Sequence, residues 1–410
     1  MTSQLRRAGI GLTLLLPLPL LHVRGVAEVV TILIAVGFLV QSTLDRDWAW
    51  LRAWWLRIGL SWWAWLVLCT VLAGTGVEPM IQAVGIVRFL LLVAALEFWT
   101  LRDPAIRDWL TRLCRWAALY IGLQSLLQFA TGRNLFGHPR SGDGELTGPY
   151  AHPRAAPPLA RLLFPALLPP LARALAGPRW RPLGGAGLGV LSVGTMVLIG
   201  QRMPLLLTFM GLFVTALLLP RLRGALLIAL VLAGALLAAT PIVSPPTYGR
   251  LVTKFTRQMS DFPDSHYGQI AARAWSMARQ HPVTGTGFDG FRNHCEEPRY
   301  FQGWRGDEGG GAGICVQHPH NHYLQALVEG GWPGLALFSA LVLAWLMALG
   351  RGLWQEPSPL RVGLFVAALI HEFPIASASA FSSMPLSGWF FLLLGLGLAE
   401  ARAYMNSRTV

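Results

Sequence analysis

The chain has 410 residues, of which 54% are hydrophobic and 13% are charged, and its formal net charge is +13. A soluble domain is typically about one quarter charged, so this composition excludes an ordinary soluble enzyme. The positive charge comes almost entirely from arginine, because Lys254 is the only lysine, and arginine binds phosphate oxygens better than lysine does.

Apolar segments recur along the chain, and they are long enough to cross a bilayer as helices. They predict an all-α polytopic integral membrane protein with about twelve transmembrane helices. We divide the chain into residues 1–242, with nine spans and a short outer loop at 131–156, residues 243–320, a large outer loop containing helices, and residues 321–410, with three spans. The predicted spans lie near residues 8–23, 26–42, 58–76, 80–99, 113–130, 157–175, 184–200, 204–219, 224–241, 328–349, 360–377 and 385–403.

Arginines cluster in alternate connections between the predicted spans. Placing both termini inside puts Arg46, Arg52, Arg102 and Arg107 on the inner side, where the basic residues of short loops concentrate. Arg88 is different because it lies near mid-depth of the fourth predicted span. It must face the protein interior or water, and sequence spacing identifies no partner for it.

Two outer segments stand out. The short one, 131–156, is rich in glycine, proline and arginine, including Arg140 and Arg154, which is typical of non-helical structure. Loops as long as 243–320 are uncommon unless they have a role.

The sequence of the large outer loop predicts two helices. Residues 247–259 are amphipathic, and we expect them to lie on the membrane surface. Asp264 is expected to cap a second helix that runs to about Gln280. The helical period places Arg273 on the polar face of that second helix.

The four cysteines fall into two pairs. Cys69 and Cys114 lie in or near predicted spans and are interpreted as packing residues. Cys295 and Cys315 lie in the large outer loop. If that loop is periplasmic, a disulfide between them is expected, because such bonds persist in oxidising compartments.

Three histidines, His318, His320 and His322, lie where the large loop meets the next span. Polar groups at that position are costly unless they are used. Their alternating spacing raises the alternative of a zinc site, but alternate positions share a face only in a strand, and the sequence from Tyr323 onward predicts a helix. We therefore favour a neutral histidine that acts as general base on a hydroxyl.

Two outer arginines are candidate partners of this histidine. Arg202 stands at the outer junction of two apolar spans, where the positive-inside bias disfavours an arginine without a partner, and Arg273 lies in the loop helix. Two arginines beside one histidine suit a pyrophosphate, since guanidinium groups bind phosphate oxygens in a bidentate manner.

Several motifs are absent from the sequence. It contains no P-loop, Rossmann glycine pattern or nucleophile elbow in the required context, and no acidic cluster on the outer side that would suggest a divalent cation site. We therefore expect no nucleotide donor, no metal or other cofactor, and no nucleic-acid partner.

The histidine stretch belongs to a longer pattern, which reads His320-Asn321, nine residues, Gly331, two residues and Gly334. This pattern resembles the signature of the bacterial O-antigen ligases, within a superfamily that also holds O-antigen polymerases and some protein O-oligosaccharyltransferases. The signature selects His320 over its neighbours, and it departs at His322, where the family commonly has an apolar or small residue. Further matches are Arg202 with Leu206, Arg273 ahead of the turn containing Pro282, Gly285 and Gly287, and residues 148–153.

The resemblance implies a GT-C-like glycosyltransferase in a bacterial inner membrane, with cytoplasmic termini and a periplasmic active site. The implied reaction transfers O-polysaccharide from undecaprenyl pyrophosphate to a sugar hydroxyl of lipid A-core, without a metal and with inversion. His320 would be the general base, and Arg202 and Arg273 would bind the pyrophosphate. The supporting residues in this interpretation are Asn321, His318, His322, Arg140, Arg154 and Arg88.

Three alternatives remain open at this point. An O-antigen polymerase would use a second lipid-linked glycan as acceptor, and a protein O-oligosaccharyltransferase would use serine or threonine. A twelve-span transporter would place its polar residues near mid-depth, often at broken helices.

Overall fold

The computed structural model describes residues 2–178, 180–300, 315–376 and 380–408. Within these ranges the chain forms helices and no β-strand, apart from one isolated bridge between Arg133 and Pro139. The predicted all-α class is therefore confirmed.

The helices follow one another with short connections in most of the chain. The first nine α-helices are α1 (Thr2–Leu15), α2 (Pro17–His22), α3 (Arg24–Asp45), α4 (Trp54–Ala73), α5 (Val77–Gly85), α6 (Val87–Ala95), α7 (Pro104–Thr131), α8 (Ala156–Leu175) and α9 (Trp180–Ile199). Those that follow are α10 (Arg202–Leu218), α11 (Arg223–Val243), α12 (Pro245–Tyr248), α13 (Lys254–Ser260), α14 (His266–Gln280), α15 (Gly290–His294), α16 (His322–Gly350), α17 (Pro359–His371) and α18 (Leu386–Asn406). Short 3₁₀ turns lie at Ala49–Arg52, Pro220–Leu222 and Pro298–Tyr300, and π turns at Leu96–Thr100 and Gly249–Thr253.

Among the described residues, six helices are long and apolar enough to cross a membrane. Their number indicates a multi-pass membrane protein. The twelve spans, the GT-C-like arrangement and the orientation stay predictions. The six are Arg24–Asp45, Trp54–Ala73, Val77–Thr100, Pro220–Val243, His322–Gly350 and Leu386–Asn406, and shorter apolar helices are Gly184–Ile199, Arg202–Leu218 and Pro359–His371.

Local sequence signals set the ends of α7. Asp103 accepts a hydrogen bond from the backbone N–H of Ala105 at 2.8 Å, and Pro104 occupies the first helical position, where its missing N–H is harmless. The helix ends at Gly132, which has φ +80°, a conformation that favours glycine at a helix C-terminus.

Two helix pairs position the site described below: α8 packs along α17, and α16 packs along α4. The first pair is close because Gly363 of α17 has no side chain, and a Cβ there would lie 2.8 Å from the backbone of Phe164. This packing brings Arg161 of α8 against His371 at the end of α17. His322, the first residue of α16, lies beside them, with its ring centroid 5.3 Å from that of His371.

The short outer loop is non-helical from residue 132 to 155, as predicted. Its backbone is held by the Gln128 side chain, whose Oε1 accepts from the N–H of Thr147 at 2.7 Å, and by Asn134, whose Nδ2 donates to the carbonyl of Gly148 at 2.7 Å. These amides replace the hydrogen bonds that a helix would supply.

The large outer loop contains both predicted helices; its residues 301–314 lie outside the described ranges. The first helical segment runs from Pro245 to Ser260. The second begins at His266 and is capped by Ser265, whose hydroxyl accepts from the N–H of Gly268 at 3.2 Å. The expectation of an Asp264 cap was therefore wrong by one residue.

Arg88 has a partner that sequence spacing did not reveal. Its guanidinium donates to both carboxylate oxygens of Glu28, at 2.9 and 3.3 Å, and to the carbonyl of Gly85 at 2.6 Å. This bidentate pair joins α3 to α6. Glu97, an acidic residue near the end of the same predicted span, is not the partner of Arg88, because its carboxylate accepts from the Trp55 indole N–H at 3.0 Å.

Candidate active site

A cavity of about 830 Å³ lies where α2, α8, α10 and α18 meet the outer loops. Its wall combines apolar surface with basic and imidazole groups. None of the described residues that line it is acidic, so its electrostatic potential favours an anion. The polar lining residues include Arg24, Arg154, Arg161, His22, His138, His152, Gln317, His318 and Tyr150, and the apolar ones include Leu20, Leu207, Ile370 and Trp389.

His320 lies immediately behind this wall. Its ring contacts His318, which lines the cavity, with centroids 4.6 Å apart, and Tyr267 of α14 at 5.8 Å. Its φ of +53° is left-handed, and its backbone N–H donates to Nδ1 of His318 at 3.2 Å. Such a conformation is uncommon outside glycine, and strained residues of this kind cluster at functional sites.

The segment that follows His320 is fastened to the end of α17. Asn321 caps α16, its Oδ1 accepting from the N–H groups of Tyr323 and Leu324 at 3.0 Å. The Asn321 Nδ2 donates to the carbonyl of Pro374 at 2.7 Å, and the Tyr323 hydroxyl donates to the carbonyl of Glu372 at 2.7 Å. These bonds fix the backbone direction in which His320 is presented.

His322 points away from the cavity. It is 5% exposed, and its Nδ1 lies 3.0 Å from Oε2 of Glu372. Since His318 and His320 contact each other while His322 turns inward, the three histidines do not form the zinc site that their spacing allowed.

A different group in this region has the composition of a metal site. Among the described residues, His322, His371 and Glu372 place one ligand atom each within 4.8 Å of one another, and two imidazoles with one carboxylate are a zinc-enzyme donor set. The hydrogen bond between Arg161 and His371 instead disfavours metal binding by His371. Arg161, which stays protonated in proteins, donates its Nε–H to Nδ1 of His371. The proton of a neutral His371 is therefore on Nε2, the atom that a metal would need, and this atom lies 3.5 Å from Oε1 of Glu372.

Arg202 is the first residue of α10, and the same helix contributes Pro204 and Leu207 to the cavity wall. Its Nη1 donates to Oε1 of Gln258 in the large outer loop. Arg202 and His320 therefore both contact the large outer loop, Arg202 through Gln258 and His320 through the ring of Tyr267.

A protein-family model described as O-antigen ligase matches residues 187–339. The matched range contains Arg202, Arg273 and the complete pattern from His320 to Gly334. The match supports assigning the chain to the O-antigen ligase family. No curated protein matches the chain at a significant level.

Gly331 of the O-antigen ligase signature and Gly285 of the large outer loop are explained by close packing. Gly331 has φ +65°, which breaks the helical backbone of α16, and a Cβ there would lie 2.5 Å from the carbonyl oxygen of Pro282. Gly285 has φ +62°, and its Cβ would lie 2.5 Å from the carbonyl oxygen of Val328. The large outer loop therefore docks its Pro282–Gly287 turn against α16 at a seam where neither side tolerates a side chain.

Hydrogen bonds close this seam. The N–H of Trp332 donates to Pro282 at 2.8 Å, and the N–H of Thr286 donates to Val328 at 2.8 Å. We infer that Gly331 and Gly285 allow the loop to pack against the helix that begins beside His320.

Arg273 occupies a different environment from the one predicted. It is fully buried, and its Nη1 donates to the carbonyl of Cys295 at 2.6 Å and lies 3.8 Å from Sγ of Cys315. Cys295 and Cys315 are at disulfide distance, as expected. The expectation that Arg273 lies on a polar helix face was wrong, because the Cys295 segment covers that face. Its pyrophosphate contact stays a prediction.

We expect Arg273→Ala to loosen the large outer loop. The variant removes a buried, charge-assisted hydrogen bond, an interaction that contributes about 1.5–3 kcal/mol. Limited trypsin digestion of the unreduced protein should cut this loop faster than in the wild type. Arg279→Ala is the matched control, because Arg279 is exposed on the same helix and stacks on Trp275. Wild-type resistance combined with lost glycan transfer would contradict this structural role and favour direct pyrophosphate contact.

The two arginines of the short outer loop, Arg140 and Arg154, lie in different environments. Arg154 is exposed and lines the cavity, and its supporting role stays a prediction. Arg140 instead donates to the carbonyl of Phe129 at 2.7 Å and stacks on the same ring, and it is not among the residues that line the cavity.

Sequence reasoning missed Arg161, His371, Glu372 and Tyr267. A signal existed for the first three, because they fall within the predicted spans 157–175 and 360–377, and ionisable residues inside spans are functional candidates by default. Tyr267 gave no such signal, since one aromatic residue on a loop helix is ordinary.

Proposed function

We propose that the protein is an O-antigen ligase, which transfers O-polysaccharide from undecaprenyl pyrophosphate to a sugar hydroxyl of lipid A-core at the periplasmic face of the inner membrane. The observation that carries this proposal is the basic, partly apolar cavity of about 830 Å³ whose wall includes His318, two residues before the signature His320. Apolar surface suits a lipid, and guanidinium groups suit its diphosphate.

The proposed reaction is a single displacement. The acceptor hydroxyl oxygen forms a bond to the anomeric carbon of the glycan, and the bond between that carbon and the diphosphate oxygen breaks. The hydroxyl proton passes to His320, and undecaprenyl pyrophosphate leaves with the bonding electron pair. Attack opposite the leaving group inverts the anomeric centre, and this scheme balances without a metal or other cofactor.

The environments of the three histidines favour His320 as the base. Burial, and then the neighbouring His320, His322 and Arg292, lower the pKa of His318 from 6.5 to about 3, so His318 is a weak base at neutral pH. His322 is buried against Glu372. His320 is half-buried beside the cavity wall, and His318 orients it through the backbone hydrogen bond.

Arg202 is assigned to the leaving diphosphate. It is the first residue of the helix that contributes Pro204 and Leu207 to the cavity wall, and it donates to Gln258 of the large outer loop. Negative charge grows on the diphosphate as the glycosidic bond breaks, and a fixed guanidinium stabilises that charge most in the transition state.

Transfer by the purified protein tests this proposal against its rivals within the superfamily. Donor lipid carrying the glycan is offered separately to lipid A-core, to a second donor molecule and to a serine-containing peptide. We expect glycan on lipid A-core alone, detected as a mobility shift and by mass spectrometry. Chain growth on the second donor would instead identify a polymerase, and glycopeptide would identify a protein O-oligosaccharyltransferase.

A further inference from the structure

Arg161 is a nearly buried arginine that borders the cavity. Its side chain projects from α8, and the residue is 7% exposed and contributes to the cavity lining. Two of its nitrogen groups are committed, Nε to His371 and Nη1 to the carbonyl of Pro157 at 2.5 Å. Its Nη2 makes no hydrogen bond to any part of the chain that the structure describes.

The committed side of Arg161 begins a row of buried polar groups that we call the buried relay: Arg161, His371, Glu372 and His322. Its two ends are hydrogen-bonded, whereas His371 Nε2 and Glu372 Oε1 face each other without a hydrogen bond. Arg161 donates to His371 Nδ1, His371 Nε2 faces one carboxylate oxygen of Glu372 at 3.5 Å, and His322 Nδ1 faces the other at 3.0 Å. The two groups of opposite formal charge in the relay are Arg161 and Glu372, and His371 lies between them.

This arrangement is unusual for a structural ion pair. A buried arginine whose only task is to neutralise a carboxylate gains most from direct bidentate contact. Here an imidazole separates the two charges, and it holds the guanidinium toward the cavity, at a helix–helix contact that Gly363 makes close. Arg24 and Arg154 border the same cavity, so an anion there would meet several positive charges.

The far end of the relay reaches the signature segment. His322 follows Asn321 directly, and the neighbouring Tyr323 binds the backbone of Glu372. The relay therefore fixes Arg161 relative to the segment that presents His320. Arg161, His371 and Glu372 lie outside the range that the family model matches.

We propose that Arg161 is an anion-binding residue of the cavity, which takes a phosphate or diphosphate group, and that His371, Glu372 and His322 are positioning residues that hold its guanidinium. The choice of a diphosphate lipid as the source of this anion rests on the proposed function. The anion site itself does not depend on it.

Equilibrium binding to the full-length protein in nanodiscs tests the proposal. The probes are undecaprenyl pyrophosphate, the uncharged lipid undecaprenol, and inorganic pyrophosphate. Arg161→Gln should weaken binding of undecaprenyl pyrophosphate roughly 10–100-fold, the factor expected for one charged hydrogen-bonding group, and should leave undecaprenol binding unchanged. Glu372→Gln should weaken binding of undecaprenyl pyrophosphate by a smaller factor, although Glu372 does not line the cavity.

Folding of the variants is controlled by a double replacement. Arg161→Gln alone leaves Glu372 buried without its counter-charge, which destabilises the fold, whereas Arg161→Gln with Glu372→Gln removes both charges and should fold while still losing anion binding. Arg173→Gln is the matched control, because Arg173 is exposed on the same helix and should bind as the wild type does.

Each outcome of these binding measurements either supports or contradicts the proposal. Wild-type affinity of the double variant for undecaprenyl pyrophosphate, or equal weakening of undecaprenol, would overturn the proposal. If Arg161→Gln weakens binding of inorganic pyrophosphate by the same factor as binding of undecaprenyl pyrophosphate, the result would support the site and identify a free anion as a ligand. If the wild type transfers no glycan but Arg161 still discriminates the charged from the neutral lipid, the proposed function fails and this inference stands.

Discussion

Replacing His320 by alanine is expected to abolish polysaccharide attachment to lipid A-core in a strain that lacks its own ligase. Removal of an oriented general base typically lowers the rate by about 10²–10⁴-fold, and His320 is the histidine that the signature pattern selects beside the cavity wall. Lipopolysaccharide gels measure the attachment, and immunoblots of the membrane fraction measure the protein, which should accumulate normally.

His266→Ala is the matched control for this experiment. His266 is exposed on α14, beside Tyr267, and its removal should leave transfer unchanged. His318→Ala should have an intermediate effect, because it removes the acceptor that stabilises the left-handed backbone of His320. Full glycan attachment by the His320→Ala protein would refute its assignment as the base.

The sequence predicts the fold where the signals are local. The apolar run at 113–130 predicts the greater part of α7, and the helical period predicts the loop helix that begins at His266. The His320 signature is also local, since it depends on spacing within a single stretch. Each of these features needs only neighbouring residues to form, so the sequence carries the whole signal.

The remaining features depend on contacts between distant parts of the chain. Arg161 and His371 are 210 positions apart, and their contact requires α8 and α17 to approach closely at Gly363. The helical period could place Arg273 relative to its own helix, but it could not show that the segment around Cys295 would cover that face. For the same reason the sequence predicted only that Arg88 faces the protein interior or water, and the packing of α3 on α6 identified Glu28 as its partner.

Replacing Arg202 by alanine is expected to lower the rate of glycan transfer by about 10²–10³-fold, the range observed when one donor to a developing negative charge is removed. Arg202→Lys should recover part of the rate, because it keeps the positive charge but loses the planar fork that matches phosphate oxygens. Initial rates over a series of donor concentrations, measured with purified protein, provide kcat and KM separately.

The division of the Arg202 effect between kcat and KM tests its proposed role. Charge on the diphosphate grows only as the glycosidic bond breaks, so a residue that stabilises the leaving group should lower kcat. Arg257→Ala is the control, because Arg257 is exposed and adjoins Gln258, the residue that accepts from Arg202. A rise in KM with unchanged kcat would reassign Arg202 to ground-state binding of the donor, and a wild-type rate would leave it as the residue that ties α10 to the large outer loop.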